Sequence, residues 1–483
     1  MRVSFCVFVF CILSSTHALG QSWVDQKISA DAFHADVNLA WEVLNESHSG
    51  LYRYTDSLYF TEILQKTIQV EDSLPMHQAY FEISNLIQAA RDGHTYVLLN
   101  AEQDRDLMTQ KRFLPFTFKI LDDKVFVNQN FSRSEIFRGD QIVAVDGKPV
   151  NGLIETLRSY MTTDGFSIAP KDRLLEGQFW WYYGLHFGFK ESHHLVVLHK
   201  GKRRAYVVES VSYADRNSIL HNWRDDRNST PIHWHMEEDV GYLRVSRFFD
   251  MSQRFYSKQL HLAFKYFREH GVKNLVLDIR GNGGGREGFE NQLLSYFPNS
   301  LCRKYDKVSM RNVRSEHYDV YMHRLSKKVA DLLYKTVEFE QRGGEWHRRE
   351  RFSSSFAEPK YMFNGNVYLL IDGEVFSSAA DFAAMAGDYG TRFVLIGEET
   401  AGGYQGNTSG YFYELLLPNT GFIVNVPRIN FDLNVRNKLH QGGVHPDYPV
   451  KTTRQDFLSN TDASLQFALD LIQRDLIGEH EER

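Results

Sequence analysis

The sequence predicts an α/β protein with a helical N-terminal domain and an inserted β-rich domain. Apolar residues recur at helical spacing up to about residue 90, and short strands separated by turns follow them. From Ile232 to Val450 strands and helices alternate. Alternation of this kind is typical of a largely parallel sheet covered by helices.

The N-terminal helical domain is predicted over residues 21–110. Its helices are expected at Asp31–Leu44, Phe60–Ile68 and Met76–Ala90, where apolar residues fall on one face. The helical pattern stops at Arg91–Thr95, R-D-G-H-T, and Tyr96–Leu99 has the alternation of a strand.

The β-rich domain is predicted over residues 111–210. Its strands are expected at Phe116–Ile120, at Lys124–Val127 and across His194–Val208. Ile136–Val150 has the sequence I-F-R-G-D-Q-I-V-A-V-D-G-K-P-V and precedes a predicted helix at Asn151–Tyr160. This segment resembles the corresponding part of a PDZ domain, a module that binds a peptide end by strand addition. A generic β-meander is the alternative.

The α/β domain is predicted over residues 232–452, after a polar linker at 211–231 and before a C-terminal helix at 453–483. Its strands are expected at Val240–Val245, Leu275–Ile279, Val367–Ile371 and Phe393–Ile396, and its helices at Ser252–Glu269, Glu287–Phe297 and Ser378–Gly387. Lys304–Phe356 is charged and has no clear period, so we predict an insertion there.

Charge and the N-terminus narrow the class of protein. The chain has 483 residues and a formal net charge of -6, which argues against a nucleic-acid partner. Residues 1–20 combine a positive start, an apolar stretch and small residues at a cleavage site, the pattern of a signal peptide. No later segment reaches the ~18 consecutive apolar residues of a spanning helix, so no stable membrane insertion is expected after signal removal.

Cysteine usage points to the compartment. Cys6 and Cys11 lie in the predicted signal, so Cys302 alone remains and no internal disulfide can form. An exported chain of this size without disulfides favours the periplasm, cell surface or extracellular space of a bacterium.

Two segments carry candidate chemistry. Asn274–Gly285, N-L-V-L-D-I-R-G-N-G-G-G, is a buried strand that runs into a glycine-rich turn, and Phe376–Phe382, F-S-S-A-A-D-F, places hydroxyl residues at a helix start. The turn lacks the spacing of a phosphate-binding loop or a dinucleotide fingerprint. An oxyanion hole of glycine N–H groups beside a serine nucleophile remains as the functional interpretation. Taken alone, a serine here is more often a helix N-cap.

The two segments, followed by I-G-E-E-T-A-G-G-Y at Ile396–Tyr404 and G-G-V-H-P-D-Y-P-V at Gly442–Val450, resemble the tail-specific, or C-terminal processing, serine peptidases. The motifs occur in family order, and the tricorn-like branch is the better match. The resemblance covers most of the chain after the signal. It implies a crotonase-like (ClpP-like) catalytic domain.

The resemblance also implies roles for individual residues. It places the nucleophile at Ser377, in the pattern Phe-Ser, four residues and Phe, with Ser378 as the competitor. One branch of the family uses a lysine as base, but no lysine lies between Lys360 and Lys438. The tricorn-like branch uses a histidine in a D-G-H-T context, here His94. The oxyanion hole would use the N–H of Gly283 or Gly284 and that of Ser378.

The chain departs from the family pattern at the third catalytic group, which would orient the imidazole. The tricorn-like pattern has a glutamate just before G-V-x-P-D, whereas this chain has L-H-Q-G-G-V at Leu439–Val444. Glu398 or Glu399 could substitute, or either could be a structural acid at a strand end. The residue before His94 is Gly93, where the tricorn-like pattern can carry a serine.

We therefore expect an exported serine endopeptidase that cleaves unfolded or C-terminally exposed polypeptides through an acyl-enzyme, without a metal or other cofactor. The PDZ-like domain would recruit or gate the substrate. A catalytically inactive peptide- or lipid-binding homologue on the same scaffold is one alternative. A crotonase-like hydrolase of small acyl substrates is another. The sequence leaves the oligomeric state open.

Overall fold

The computed structural model describes residues 22–221, 230–298, 303–323, 327–328, 338–350 and 359–481. The predicted signal peptide and Cys302 lie outside the described residues. Within the described part of the chain, no helix combines the length and the apolar character needed to cross a membrane.

α-Helices alternate with strands along much of the described chain. The α-helices are α1 (Ala30–Ser47), α2 (Ser57–Thr67), α3 (Met76–Gln88), α4 (Ala101–Gln110), α5 (Val150–Arg158), α6 (Ala169–Phe187), α7 (Tyr213–His221), α8 (Gln253–Glu269), α9 (Phe289–Leu294), α10 (Tyr318–Tyr321), α11 (Ser378–Tyr389), α12 (Arg454–Ser459) and α13 (Ala463–Glu481).

Strands form three larger sheets and two short pairs. They are β1 (Lys27–Ile28), β2 (Leu74–Pro75), β3 (Tyr96–Leu98), β4 (Arg112–Phe113), β5 (Phe116–Leu121), β6 (Lys124–Asn130), β7 (Gln141–Val145), β8 (Lys148–Pro149), β9 (Ser192–His199), β10 (Lys202–Glu209), β11 (Val211–Ser212), β12 (Ile232–Glu237), β13 (Val240–Val245), β14 (Asn274–Asp278), β15 (Tyr305–Met310), β16 (Phe339–Arg342), β17 (Glu345–Arg348), β18 (Asn366–Ile371), β19 (Phe393–Gly397), β20 (Gly406–Leu416), β21 (Ile423–Leu433) and β22 (Tyr448–Pro449).

The central sheet has six strands in the order β12-β13-β14-β18-β19-β22. Only β12 and β13 pair antiparallel, so the predicted, largely parallel α/β sheet is confirmed. β14 is buried along its whole length because both faces are covered. Leu275 and Leu277 pack with Phe264 of α8, whereas Val276 packs with Ala468 of α13 on the other face. Full burial of each such side chain is worth about 1.5–3 kcal/mol.

The carboxyl ends of β14 and β18 position the candidate chemistry. The two strands are parallel neighbours, paired from Asn274↔Asn366 to Asp278↔Leu370. Because the carboxyl ends of parallel strands lie at one edge of the sheet, the turns that follow them meet there. The first turn contains Gly281–Gly285, and the second leads through Ser377 into α11.

A second sheet, ordered β16-β17-β15-β21-β20 with β3 also on β21, was not predicted. β15, β16 and β17 fall inside Lys304–Phe356, the segment expected to be an insertion, yet β15 pairs directly with β21. Charged side chains pair across these strands, as Lys307 does with Glu345. The charged residues of these strands therefore give the segment the composition of a loop, although it forms part of a sheet.

Strand β3 joins the N-terminal helices to this second sheet. It pairs residue by residue with Ile423–Asn425 of β21. The carbonyl of His94, two residues before β3, accepts a hydrogen bond of 2.7 Å from the Asn425 side chain, 331 residues away in sequence. The segment that carries His94 is thereby attached to the long strand β21.

The third sheet is antiparallel, in the order β10-β9-β7-β6-β5 with β8 on β7, and the strands and helix α5 predicted for this part of the chain are present. Helix α6 was not predicted, and it packs along β5 at the edge of the sheet. The Glu176 carboxylate of α6 accepts the N–H of Ile120 at 2.7 Å and pairs with Lys119 at 2.8 Å. The outer edge of β5 is therefore covered by the chain itself.

The segment predicted to be a linker begins as regular structure. β11 pairs with β4, and α7 follows over Tyr213–His221, while residues 222–229 lie outside the described part. Arg216 is buried with its guanidinium 4.2 Å from the centroid of the Trp180 ring. In the sequence an arginine counts as a polar residue even when it packs on an aromatic ring. The polar composition of this segment therefore predicted a linker instead of helix α7.

Candidate active site

The glycine-rich turn after β14 is held by Asn282. Its buried side chain donates to the Val245 carbonyl at 3.0 Å and accepts the N–H of Gly284 at 2.9 Å. Its own carbonyl accepts the N–H of Phe376 at 3.0 Å, which ties this turn to the segment before α11. Buried side chains that satisfy backbone groups in this way fix a loop that has no regular structure of its own.

The same hydrogen bonds separate the two glycines considered for the oxyanion hole. The N–H of Gly284 already donates to the Asn282 side chain, so Gly284 has no free N–H for an oxyanion. Gly283 is exposed, and its N–H has no acceptor among the described residues. The turn therefore offers Gly283, rather than Gly284, to an incoming oxyanion.

Ser377 has a strained backbone. Its φ is 54° and its ψ is -132°, a combination that costs a residue with a β-carbon about 1–3 kcal/mol. Ser377 is half-buried and lies directly before α11. A serine at the tip of a sharp strand-to-helix turn is held with its hydroxyl exposed, the geometry of a nucleophile elbow.

Ser378 lies within the first turn of α11. It is only 7% exposed, and its hydroxyl has no hydrogen-bond partner among the residues that the structure describes. Its backbone N–H is one of the unpaired donors at a helix N-terminus and lies next to Gly284. The position of Ser378 favours a role for its N–H in the oxyanion hole and Ser377 as the nucleophile, and both assignments stay predictions.

His94 packs its ring against Phe376, with 4.4 Å between the ring centroids. Since Phe376 directly precedes Ser377, this contact brings the candidate base to the turn of the candidate nucleophile. Burial lowers the pKa of His94 to about 3, so the imidazole is neutral near neutral pH, the protonation state from which a base acts.

The same aromatic contact explains the glycine before His94. A β-carbon on Gly93 would lie only 2.6 Å from the Phe376 ring. The serine that the tricorn-like pattern can carry here would collide with that ring. The position of Phe376 therefore favours glycine at residue 93.

Two buried aspartates lie beside His94, and neither was among the predicted site residues. One ring nitrogen of His94 and one oxygen each of Asp92 and Asp164 lie within 4.8 Å of one another. Asp92 accepts the backbone N–H of His94 at 2.8 Å. The D-G-H-T motif contains Asp92, whereas Asp164 comes from the loop between α5 and α6, which no motif marks.

The two glutamates considered as the third catalytic group have other partners. Glu398 forms a two-point ion pair with Arg173, at 2.6 and 2.8 Å. Glu399 accepts the N–H of Gly443 at 2.9 Å and the hydroxyl of Ser167. In the described part of the chain, neither carboxylate forms a hydrogen bond with His94.

A separate cluster near the surface has the spacing of metal ligands. One ligand atom each of Glu399, His440 and His445 lies within 4.8 Å of the others. His440 Nε2 already bonds to the Gly443 carbonyl at 2.7 Å, and Glu399 holds two donors as described above. The expectation that this chain needs no metal stays a prediction.

A cleft of about 890 Å³ opens beside the turn of Ser377. Gly283 and Phe376 line it beside that turn, together with the residues of β3. The remaining aromatic lining comes from the N-terminal domain and the α5–α6 region, namely Tyr80, Tyr160, Trp181 and Tyr182. A cleft of this size with a largely apolar wall can hold several residues of an extended polypeptide.

A strained serine beside unpaired N–H groups, with a neutral histidine on the adjoining loop, is the arrangement that acyl transfer by a serine hydrolase requires. Residues 239–450, which contain the central sheet, the glycine-rich turn and Ser377, match the model of peptidase family S41. This part of the chain is therefore similar to peptidase family S41, and the protein is a serine peptidase.

Two solved structures of mature CPAF share the fold over nearly the whole chain. Mature CPAF complexed with lactacystin is 16% identical, covers 92% of this chain and 97% of its own, and has a TM-score of 0.63. Mature CPAF alone is 16% identical, covers 91% and 96%, and has a TM-score of 0.61. The tricorn protease is 15% identical, covers 92% of this chain but 37% of its own, and has a TM-score of 0.38. Comparison with curated proteins found no match.

Replacing Gly284 with alanine should disable the site. A β-carbon there would lie 2.8 Å from both the Phe376 carbonyl and the Ser377 β-carbon, at a φ of +89°. The clash would displace Ser377 and the N–H of Ser378, so we expect proteolysis of unfolded casein to fall by at least about 10²-fold, the typical loss when an oxyanion donor is misplaced. Gly147→Ala is the matched control, because Gly147 has a φ of +78° but open space around it. Equal losses in both variants would contradict a local effect on Ser377.

Proposed function

We propose that this chain is an endopeptidase that cleaves unfolded or C-terminally exposed polypeptides through an acyl-enzyme, with Ser377 as nucleophile and His94 as base. The observation that carries the proposal is the strained Ser377 turn, which adjoins the unpaired N–H of Gly283 and, through Phe376, the ring of His94.

The reaction follows from this arrangement. A nitrogen of the His94 imidazole takes the proton of the Ser377 hydroxyl as its oxygen attacks the peptide carbonyl carbon. The oxygen that becomes negative accepts the N–H groups of Gly283 and Ser378, each worth about 10²–10³ in rate. The imidazolium then protonates the leaving amine, and water resolves the acyl-enzyme by the same steps in reverse order.

The substrate is proposed to lie in the aromatic cleft. We also propose that the α/β domain is crotonase-like and that the small sheet is a PDZ-like insertion, supported by the I-F-R-G-D-Q-I-V-A-V-D-G segment and helix α5. In a PDZ domain a peptide adds to an edge strand. Because α6 covers that edge of β5 here, recruitment by strand addition at β5 is not favoured, and the open cleft beside Ser377 is.

Export to the periplasm or the outer surface of a bacterium is part of the proposal. Its support is the signal-like sequence of residues 1–20 together with the low cysteine count of the remaining chain. A fusion of residues 1–20 to a reporter that is active only outside the cytoplasm tests it. Reporter activity that does not depend on these residues would contradict export.

Covalent labelling tests the catalytic proposal. The chain without residues 1–20 is incubated with a fluorophosphonate, digested, and sequenced by fragmentation mass spectrometry. We expect the label on Ser377, and release of peptides from unfolded casein but not from a folded protein of similar size. A label on Ser378 would mean that the assigned nucleophile is wrong by one residue.

The inactive, binding-protein alternative has a distinct outcome in the same experiment. It requires that the folded chain neither reacts with the fluorophosphonate nor cleaves casein, yet binds unfolded polypeptide. A chain that labels but cleaves only small esters or thioesters would instead support a non-peptidase hydrolase.

A further inference from the structure

A loop that carries a buried carboxylate packs against the segment where the family pattern has its glutamate. Gly165 packs against the main chain of Gln441 so closely that a β-carbon on Gly165 would lie 2.6 Å from the Gln441 carbonyl oxygen. Gly165 also has a φ of +75°, which disfavours any side chain there. The residue before Gly165 is Asp164, which therefore enters the site opposite the loop that lacks the glutamate.

Asp164 links the loop of the base to the loop beside the nucleophile. Its Oδ1 accepts the N–H of Gly93 at 2.8 Å, and its Oδ2 accepts the N–H of Gly403 at 2.9 Å. Gly93 directly precedes His94. On the other side, a β-carbon on Gly402 would lie 2.9 Å from the Ser377 nitrogen. One carboxylate, only 1% exposed, thus fixes the two loops relative to each other.

Asp92 lies in the same buried cluster. Its Oδ1 accepts the His94 N–H, and its Oδ2 lies 3.7 Å from Nε2 of His48. Burial lowers the pKa of His48 to about 3, with a further contribution from Arg311, so His48 is neutral and does not cancel the charge of Asp92. His48 is instead held by the Thr95 hydroxyl at 2.8 Å.

The two aspartates behave as an acid pair. Burial raises the pKa of both carboxyls, and the charge of Asp164 raises that of Asp92 further. The charge of Arg53 lowers the pKa of both carboxyls, and the charge of Asp381 raises the pKa of Asp164. The other titratable groups that face the pair are His48, Tyr54 and His94. Two such carboxyls titrate as a unit and keep one negative charge between them over a range of pH.

We propose that Asp164 is the positioning residue of this peptidase, in place of the absent glutamate, and that Asp164 and Asp92 together hold the negative charge that stabilises the His94 imidazolium. The proposal rests on the proposed function of Ser377 and His94. Asp164 acts through His94 and the two loops and does not touch the substrate. The separation of up to 4.8 Å between His94 and the carboxylates is of the kind that closes in a substrate complex.

The test is the rate constant of fluorophosphonate labelling at Ser377, measured between about pH 5 and 9, where carboxyls with raised pKa values titrate. The chain is compared with Asp164→Asn, Asp92→Asn and Asp36→Asn. Asp36 is the matched control, because this fully buried aspartate also accepts two backbone N–H groups, those of Asn419 and Thr420, in the loop between β20 and β21 rather than beside His94.

For Asp164→Asn we expect labelling to slow by at least about 10²-fold, since the triad aspartate of other serine peptidases is worth up to about 10⁴. Asp92→Asn keeps an oxygen for the His94 N–H but removes the repulsion. Its remaining activity should therefore fall off at lower pH than that of the unmutated chain. Asp36→Asn should lose stability and leave both the rate of its folded fraction and its pH profile unchanged.

Thermal unfolding gives a second readout with a definite sign. The pKa of the pair is raised above its unfolded value of about 4, so ionisation of the pair disfavours the folded state as pH rises. Asp92→Asn removes one of these charges. Its Tm relative to that of the unmutated chain should therefore be higher at about pH 8 than at about pH 5.

Each outcome decides the proposal. Unmutated rates and an unmutated pH profile in Asp164→Asn overturn it, and so does an equal slowing in the folded fraction of Asp36→Asn. Absence of labelling and cleavage in the unmutated chain instead overturns the proposed function, and the positioning role with it. The two failures are therefore distinguishable.

Discussion

Ser377→Ala should abolish both casein cleavage and fluorophosphonate labelling while the chain stays folded. The alanine keeps the β-carbon that packs over Gly284 and loses only the hydroxyl oxygen. Alanine at a φ of 54° is no more strained than serine there, so stability should change little. Removing the nucleophile of a serine peptidase lowers kcat by about 10⁶-fold, and the measurement is the initial rate of peptide release.

Ser378→Ala is the matched control, because it removes a hydroxyl from the adjacent residue. That hydroxyl is buried without a partner among the described residues, so its loss should leave stability equal or slightly higher. The backbone N–H of residue 378 remains, and activity should stay within a few-fold of the unmutated chain. Loss of activity in Ser378→Ala with activity retained in Ser377→Ala would reverse the assignment of the nucleophile.

The central part of the fold could be predicted from the sequence because its signals are local. Val367–Ile371 is a continuous apolar run, and the observed strand β18 extends it by one residue, Asn366. The glycine-rich turn and the F-S-S motif each lie beside a strand that the sequence marks clearly. Their meeting at one sheet edge follows from the parallel order of β14 and β18.

The elements that were missed depend on contacts between distant residues. Helix α6 has polar and aromatic residues all round, because it packs on β5 on one side and lines the cleft with Trp181 and Tyr182 on another. Asp164 carries no signal of its own, since its role depends on the N–H of Gly93, 71 residues earlier, and that of Gly403, 239 residues later. One sequence does not show such pairings.

The orienting acid shows the same limit. The sequence offers Glu398 and Glu399, which follow a predicted strand, as substitutes for the lost glutamate. In the structure Glu398 pairs with Arg173, and Glu399 accepts a hydrogen bond from the Gly443 N–H. An acid that reaches a site from an inserted loop can be found only once the loop is placed in space.

His94→Gln should lower the rate of casein cleavage by about 10⁴-fold or more, because glutamine is of similar size but cannot take the serine proton. The labelling rate at Ser377 should fall in parallel. His193→Gln is the control, since His193 is also a buried histidine beside an aspartate, 2.9 Å from Asp146, but lies in the small sheet. Similar losses of activity in the two variants would argue against His94 as the base.

The combination of His94→Gln with Asp164→Asn is the more demanding form of this prediction. Burial lowers the pKa of the His94 imidazole to about 3, so in the free chain His94 is a weak base near neutral pH. It can take the serine proton only if a nearby negative charge stabilises the imidazolium, and the Asp92–Asp164 pair supplies that charge. Residues that act as such a unit are not additive, so the double variant should be no slower than His94→Gln alone. A double variant slower by the product of the two single effects would show that Asp164 acts on Ser377 or the fold rather than through His94.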